Sequence, residues 1–193
     1  LPGSSLEKDF QMFQIVFQDP HFCPDFLKLY PTVVLPQTEL YSWWQRGEFI
    51  PYRLAELVAL LLRVKEIIPP WVRIERLGRD IPQGDIAAGY RESHLRQIVK
   101  KEAKRREIIC RCVRCREIGG EKRQEELFFN KEEYQVSGGQ ENFLSFVDRD
   151  NRLYYLLRLF LPQEGTAIFT SLKKAAIVPV SYTNLTLPTL YSV

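Results

Sequence analysis

Histidine is nearly missing from this chain of 193 residues: only His21 and His94 occur. No Ser-His-Asp set, His-Glu-x-x-His pair or phosphate-binding P-loop is recognisable in it, and with two histidines histidine-based catalysis is not expected. Long apolar runs are also missing. None approaches the roughly 20 residues that a membrane span needs, and nothing at the start reads as a basic-then-apolar signal. A soluble, cytoplasmic protein is expected. Cysteine is scarce, with four residues, yet three of them fall in one stretch, "CRCVRC", Cys110 to Cys115.

What is present is globular: 45% hydrophobic and 26% charged residues, with a net charge of +3. That charge is unevenly placed. From Tyr90 to Arg123 there are 12 Lys and Arg against 5 Glu, a local net of +7, which leaves −4 elsewhere. A positive segment in an otherwise slightly negative chain points to a polyanion partner, and Lys or Arg along one surface suffices for phosphate contacts. The candidates are Arg96, Lys100, Lys101, Lys104, Arg105, Arg106, Arg111, Arg114 and Arg116.

Hydrophobic periodicity predicts a helix over 5–18, a strand in "FLKLYPTVVL", a short helix ending at Gly47, a strong helix over Arg53–Ile68 and a strand over Val72–Leu77. Helix and strand alternate from Ser5 to Pro82, the rhythm of a parallel α/β sheet. Two strands cannot close such a sheet, so further strands are expected upstream. A basic helix is predicted over 90–109. Two apolar runs flanking "DRDN" predict a hairpin, roughly Glu141–Val147 with Leu153–Leu161, and "AAIV" at 175–178 begins another strand. The last fifteen residues, 179–193, carry no charge and look like a translated adapter, so they are expected to lie outside the native fold.

The triad Cys110, Cys112 and Cys115 has the soft sulfur ligands and close spacing that suit zinc. The two-residue gap lets Cys112 and Cys115 reach one ion from a single turn. His94, Cys23, a carboxylate or water would complete the tetrahedron. An iron–sulfur cluster, a redox pair and ordinary reduced thiols are the competing readings.

These segments taken in order, "LPGS", "FLKLYPTVV", "TELYSWWQRGEFIPY", "IIPPWVRIERLGRDIP", "HLRQIV", "CRCVRCREIG" and "ENFLSFVDRDN", resemble the catalytic subunit of the Elongator complex and its single-chain prokaryotic counterparts. The resemblance implies an α/β fold. Residues 1–85 would be the C-terminal portion of a radical S-adenosylmethionine (radical SAM) barrel. Residues 86–120 would be a basic zinc-binding linker and 121–178 the start of a GNAT-like acetyltransferase domain. It implies a tRNA-modifying enzyme that installs a carboxymethyl group at C5 of wobble uridine 34. The cofactors would be a [4Fe–4S] cluster, S-adenosylmethionine, acetyl-CoA and zinc, and the partner tRNA, in a homodimer or a single-chain enzyme. Lys28 and Tyr30 would stand near the end of a barrel strand as catalytic candidates. Neither the cluster-binding cysteine motif nor the glycine-rich pyrophosphate loop is found in this sequence, so the 193 residues alone are expected to be inactive. The competing functions are a noncatalytic, zinc-stabilised RNA-binding module and a protein (histone) acetyltransferase.

Overall fold

The segment "LAELVALLLRVKEI" has no glycine or proline and is followed directly by Pro69–Pro70; it forms α3, Leu54–Ile67, in the computed structural model. The structure describes residues 2–119, 126–163 and 175–183. Its start is capped, with the Arg53 amide donating to Glu56 Oε2 at 2.8 Å. Apolar residues surround this helix instead of lining one stripe, and the structure uses both sides. Leu60 and Val64 join a core with Phe13 and Phe17 of α1, Leu6–Gln18, and with Ile68, Val72, Ile74 and Cys112. Leu57, Val58, Leu61 and Leu62 join a second core with Tyr90 and with Leu95, Val99 and Ala103 of α4, Leu95–Arg105. α3 is thus the shared spine of this unit.

The expected parallel pairing is present. β1, Phe26–Leu29, runs parallel to β2, Arg73–Leu77. β1 stops well short of the predicted strand because Pro31 offers no amide to the ladder; beyond it Val34 makes only an isolated bridge with Ala88. The short helix α2, Glu39–Gln45, is capped by the Thr38 hydroxyl, which accepts from the Tyr41 amide. α4 is shorter than the predicted 90–109. It closes in a Schellman motif: the Ile108 amide reaches Ala103 O and the Glu107 amide Lys104 O, with Glu107 at φ 57° where glycine is usual.

The chain divides into two compact units, Leu1–Phe17 with Pro24–Cys112, and Gln18–Cys23 with Val113–Val193. The second holds the one-turn helix α5, Val113–Arg116, and a four-stranded antiparallel sheet in chain order: β3, Phe128–Val136; β4, Gly139–Val147; β5, Leu153–Pro162; β6, Ile177–Thr183. The predicted hairpin is β4–β5. Its turn is built as the sequence suggested, with Asp148 Oδ1 accepting from the amides of Asp150 and Arg152 at 2.9 and 2.8 Å. β3 was not foreseen. β6 starts two residues after the expected Ala175 and continues through Thr183, so four residues of the uncharged tail, Val180 to Thr183, pair with β5. The rest of that tail, 184–193, lies outside the described residues.

Candidate functional site

On α4 the apolar residues Leu95, Val99 and Ala103 recur every fourth position and are buried. Lys100, Lys101 and Lys104 fall on the opposite side and are exposed. Arg105 and Arg106 follow, also exposed, but both turn onto one acid. Arg105 grips Glu102 through Nε and a terminal nitrogen at 2.9 and 2.6 Å, and Arg106 Nε donates to it at 2.7 Å. The two guanidinium groups hold the Glu102 carboxyl down at about 2. Arg111 and Arg114 are exposed, and Arg114 lies 3.4 Å from Glu117.

Two of the nine predicted cations are placed differently. Arg116 is only 8% exposed and donates to Asn151 Oδ1 at 3.1 Å, tying α5 to the β4–β5 turn. Arg96, on the first turn of α4, gives its guanidinium to the carbonyls of Ile74 and Glu75.

The three clustered cysteines are brought together. Cys110 precedes α5, Cys112 leads into it and Cys115 lies within it, so a single turn folds their Sγ atoms to within 4.8 Å of one another. Thiolates bound to one tetrahedral zinc ion at about 2.3 Å stand about 3.8 Å apart, so a small closure completes the geometry. An iron–sulfur cube, with each thiolate on its own iron, holds its sulfurs farther apart. The triad therefore fits zinc better. Cys112 is buried among Phe17, Val64 and their neighbours, which anchors one ligand, while Cys115 is exposed. Among the described residues, no fourth His, Cys, Asp or Glu joins the group. Cys23 is buried, and loss of solvation with nearby Asp19 pushes its thiol up, away from thiolate.

Lys28 and Tyr30 line a cleft of about 700 Å³ in the first unit, together with Asp9, Glu48, Tyr52 and Ile50. Lys28 Nζ lies 3.5 Å from Glu75 Oε2, and the Arg79 guanidinium sits 5.3 Å from the centre of the Tyr30 ring. At the cleft wall the Tyr52 hydroxyl donates to Asp9 Oδ2 at 2.9 Å.

Residues 24–105 match the family described as Radical_SAM C-terminal domain. The tRNA uridine(34) acetyltransferase of Dehalococcoides mccartyi is 46% identical over 166 residues, 84% of this chain and 36% of that protein. The human Elongator complex protein 3 is 38% identical over 175 residues, 88% of this chain and 32% of its own. Among solved structures, the archaeal Methanocaldococcus infernus Elp3 with an N-terminus deletion (1-46) superposes with a TM-score of 0.83 at 38% identity, covering 95% of this chain and 45% of that one. The chain belongs to the Elongator catalytic-subunit family. It spans about a third of the length of the curated relatives it matches.

Within this Elongator-family chain the sequence reading overlooked one buried charged set. Arg158 on β5, 3% exposed, donates to the Tyr134 hydroxyl of β3 and lies 3.8 Å from Glu141 of β4. The signal was there: an arginine inside the apolar run "YYLLRLFL" must find a carboxylate or a hydroxyl if the strand is buried. Among the described residues no helix is long and apolar enough to cross a membrane.

Proposed function

We propose that this chain is the RNA-facing portion of an enzyme that modifies the wobble uridine of tRNA. The carrying observation is the exposed Lys100, Lys101 and Lys104 on one side of α4, followed along the chain by exposed Arg105, Arg106, Arg111 and Arg114 up to and within the cysteine triad. The names of the relatives, tRNA uridine(34) acetyltransferase, supply the substrate class. Cations on one helix side serve phosphate contacts, which position RNA without reading its sequence.

Cys110, Cys112 and Cys115 would hold zinc and so fix the chain that follows α4. Lys28 and Tyr30, on the cleft, are the residues proposed to touch the reacting groups. The finer reaction proposed is installation of a carboxymethyl group at C5 of uridine 34. When bound, S-adenosylmethionine on a [4Fe–4S] cluster supplies the radical and acetyl-CoA the two-carbon unit. Four cysteines offer one three-thiolate set, and it fits zinc. The cluster and acetyl-CoA are therefore assigned no residues here, and the 193-residue chain alone is expected to bind tRNA without turnover.

Replacing Lys100, Lys101 and Lys104 together with Gln tests this. Each phosphate contact contributes about 0.7–0.9 to the slope of log affinity against log salt, so the triple variant should lower the slope by about 2–3 and weaken tRNA binding. An unchanged slope would remove α4 from the RNA surface.

A further inference from the structure

The sequences of β1 and β2 do not match in spacing. On β1 the residues that pack on the core, Leu27 and Leu29, are two positions apart. On β2 their partners, Ile74 and Leu77, are three apart. Side chains on a strand change face at every residue, so these two strands share an apolar face only if β2 carries one residue more. The structure puts that residue at Glu75. Leu27 pairs with Ile74 and Lys28 with Arg76, and Glu75 is skipped in the register.

A bulge takes backbone groups out of the ladder, and carbonyls so released need other donors. Arg96 supplies them. One terminal nitrogen of its guanidinium donates to Ile74 O at 3.1 Å and to Glu75 O at 2.9 Å. The arginine is itself held in place, because Leu95 beside it is 1% exposed and Val99 one turn on is fully buried. On the far side of the bulge Glu75 and Arg76 both face out, and Glu75 Oε2 lies 3.5 Å from Nζ of Lys28, a residue of the cleft lining.

We propose that Arg96 is a positioning residue for the cleft: it fixes the β2 bulge, the bulge aims Glu75, and Glu75 holds the Lys28 ammonium at the cleft wall. This rests on the reading of Lys28 given above, and it removes Arg96 from the RNA-facing set. An arginine suits the task because its charge is permanent and its rigid, planar guanidinium can be held in a fixed orientation; a lysine can offer a point donor without that orientation.

Labelling of Lys28 by an amine-reactive ester, followed by peptide mass spectrometry on the full chain with the other lysines as internal controls, tests it, with tRNA affinity measured in parallel. Glu75→Gln and Arg96→Ala should each speed Lys28 labelling by about two- to fivefold, the worth of an exposed ion pair. Arg96→Lys should fall between them and the parent, and Lys101→Ala should leave labelling alone. Arg96→Ala should leave tRNA affinity as it is, whereas Lys101→Ala weakens it. Labelling that is unchanged in the Arg96 variants while Glu75→Gln speeds it would overturn the proposal, as would a loss of tRNA affinity in Arg96→Ala equal to that of Lys101→Ala. If Arg96→Ala does not fold, Arg96→Lys is read the same way. A chain that binds no tRNA in any form would refute the RNA reading alone, and the labelling would still decide the role of Arg96.

Discussion

Tyr52 shows how a single hydrogen bond is recorded in a titration. Its hydroxyl is partly buried at the cleft wall and donates to Asp9, which also accepts from the Ser4 hydroxyl. Burial first, and the Asp9 carboxylate second, push the phenol up to about 12. Because the folded value is raised, the stabilisation is complete below the ordinary value near 10 and is lost as pH rises through about 12. Tyr52→Phe should cost about 1 kcal/mol in a urea titration, and the cost should stay constant from about pH 6 to pH 9. A gap that closes within that range would show that the hydroxyl does not carry the effect. Glu102 has the opposite sign. Held low by Arg105 and Arg106, it contributes above about 4.5, and its contribution fades as pH falls toward about 2.

At the level of elements, the β3–β4 hairpin depends on one residue without a side chain. A Cβ on Gly139 would stand 2.2 Å from Leu161 O and 2.8 Å from the Phe160 ring, and the first of these is backbone that cannot step aside. Gly139→Ala should therefore lower stability by about 2 kcal/mol or more, seen as a lower melting temperature and loss of amide protection in β4 and β5. A variant as stable as the parent would mean that the strands are not this close. The same hairpin marks where the sequence was hard to read. β3 carries Lys131, Glu132 and Glu133 at its centre, so its alternation is hidden by charge, and at the edge of the sheet among the described residues it needs little apolar content. The two-residue Ser137–Gly138 turn, with Gly138 at φ 83°, was the available cue. By contrast α1, α3, β2 and the β4–β5 hairpin were legible because periodicity, caps and Asp–Asn turn chemistry agreed. α4 was read too long at both ends; at its C-terminal end a glutamate occupies the left-handed position that glycine would have announced.

For the molecule as a whole, the candidate site was legible in composition more than in detail. The segregation of +7 into 34 residues, and three thiols in six, named the strip before any geometry was known. Which cations face solvent was not readable, because Arg96 and Arg116 differ from their neighbours only in what the fold brings near them: two strand carbonyls and Asn151. The function proposed above puts metal and RNA contacts on one strip of chain, α4 through α5. Zinc content and tRNA affinity, measured together on the parent chain and on Cys112→Ser, test it most directly. One zinc per chain in the parent is predicted, with loss of zinc and weaker tRNA binding in the variant as the turn carrying Arg111 and Arg114 loosens. Unchanged zinc in Cys112→Ser, or zinc lost with tRNA affinity intact, would contradict it.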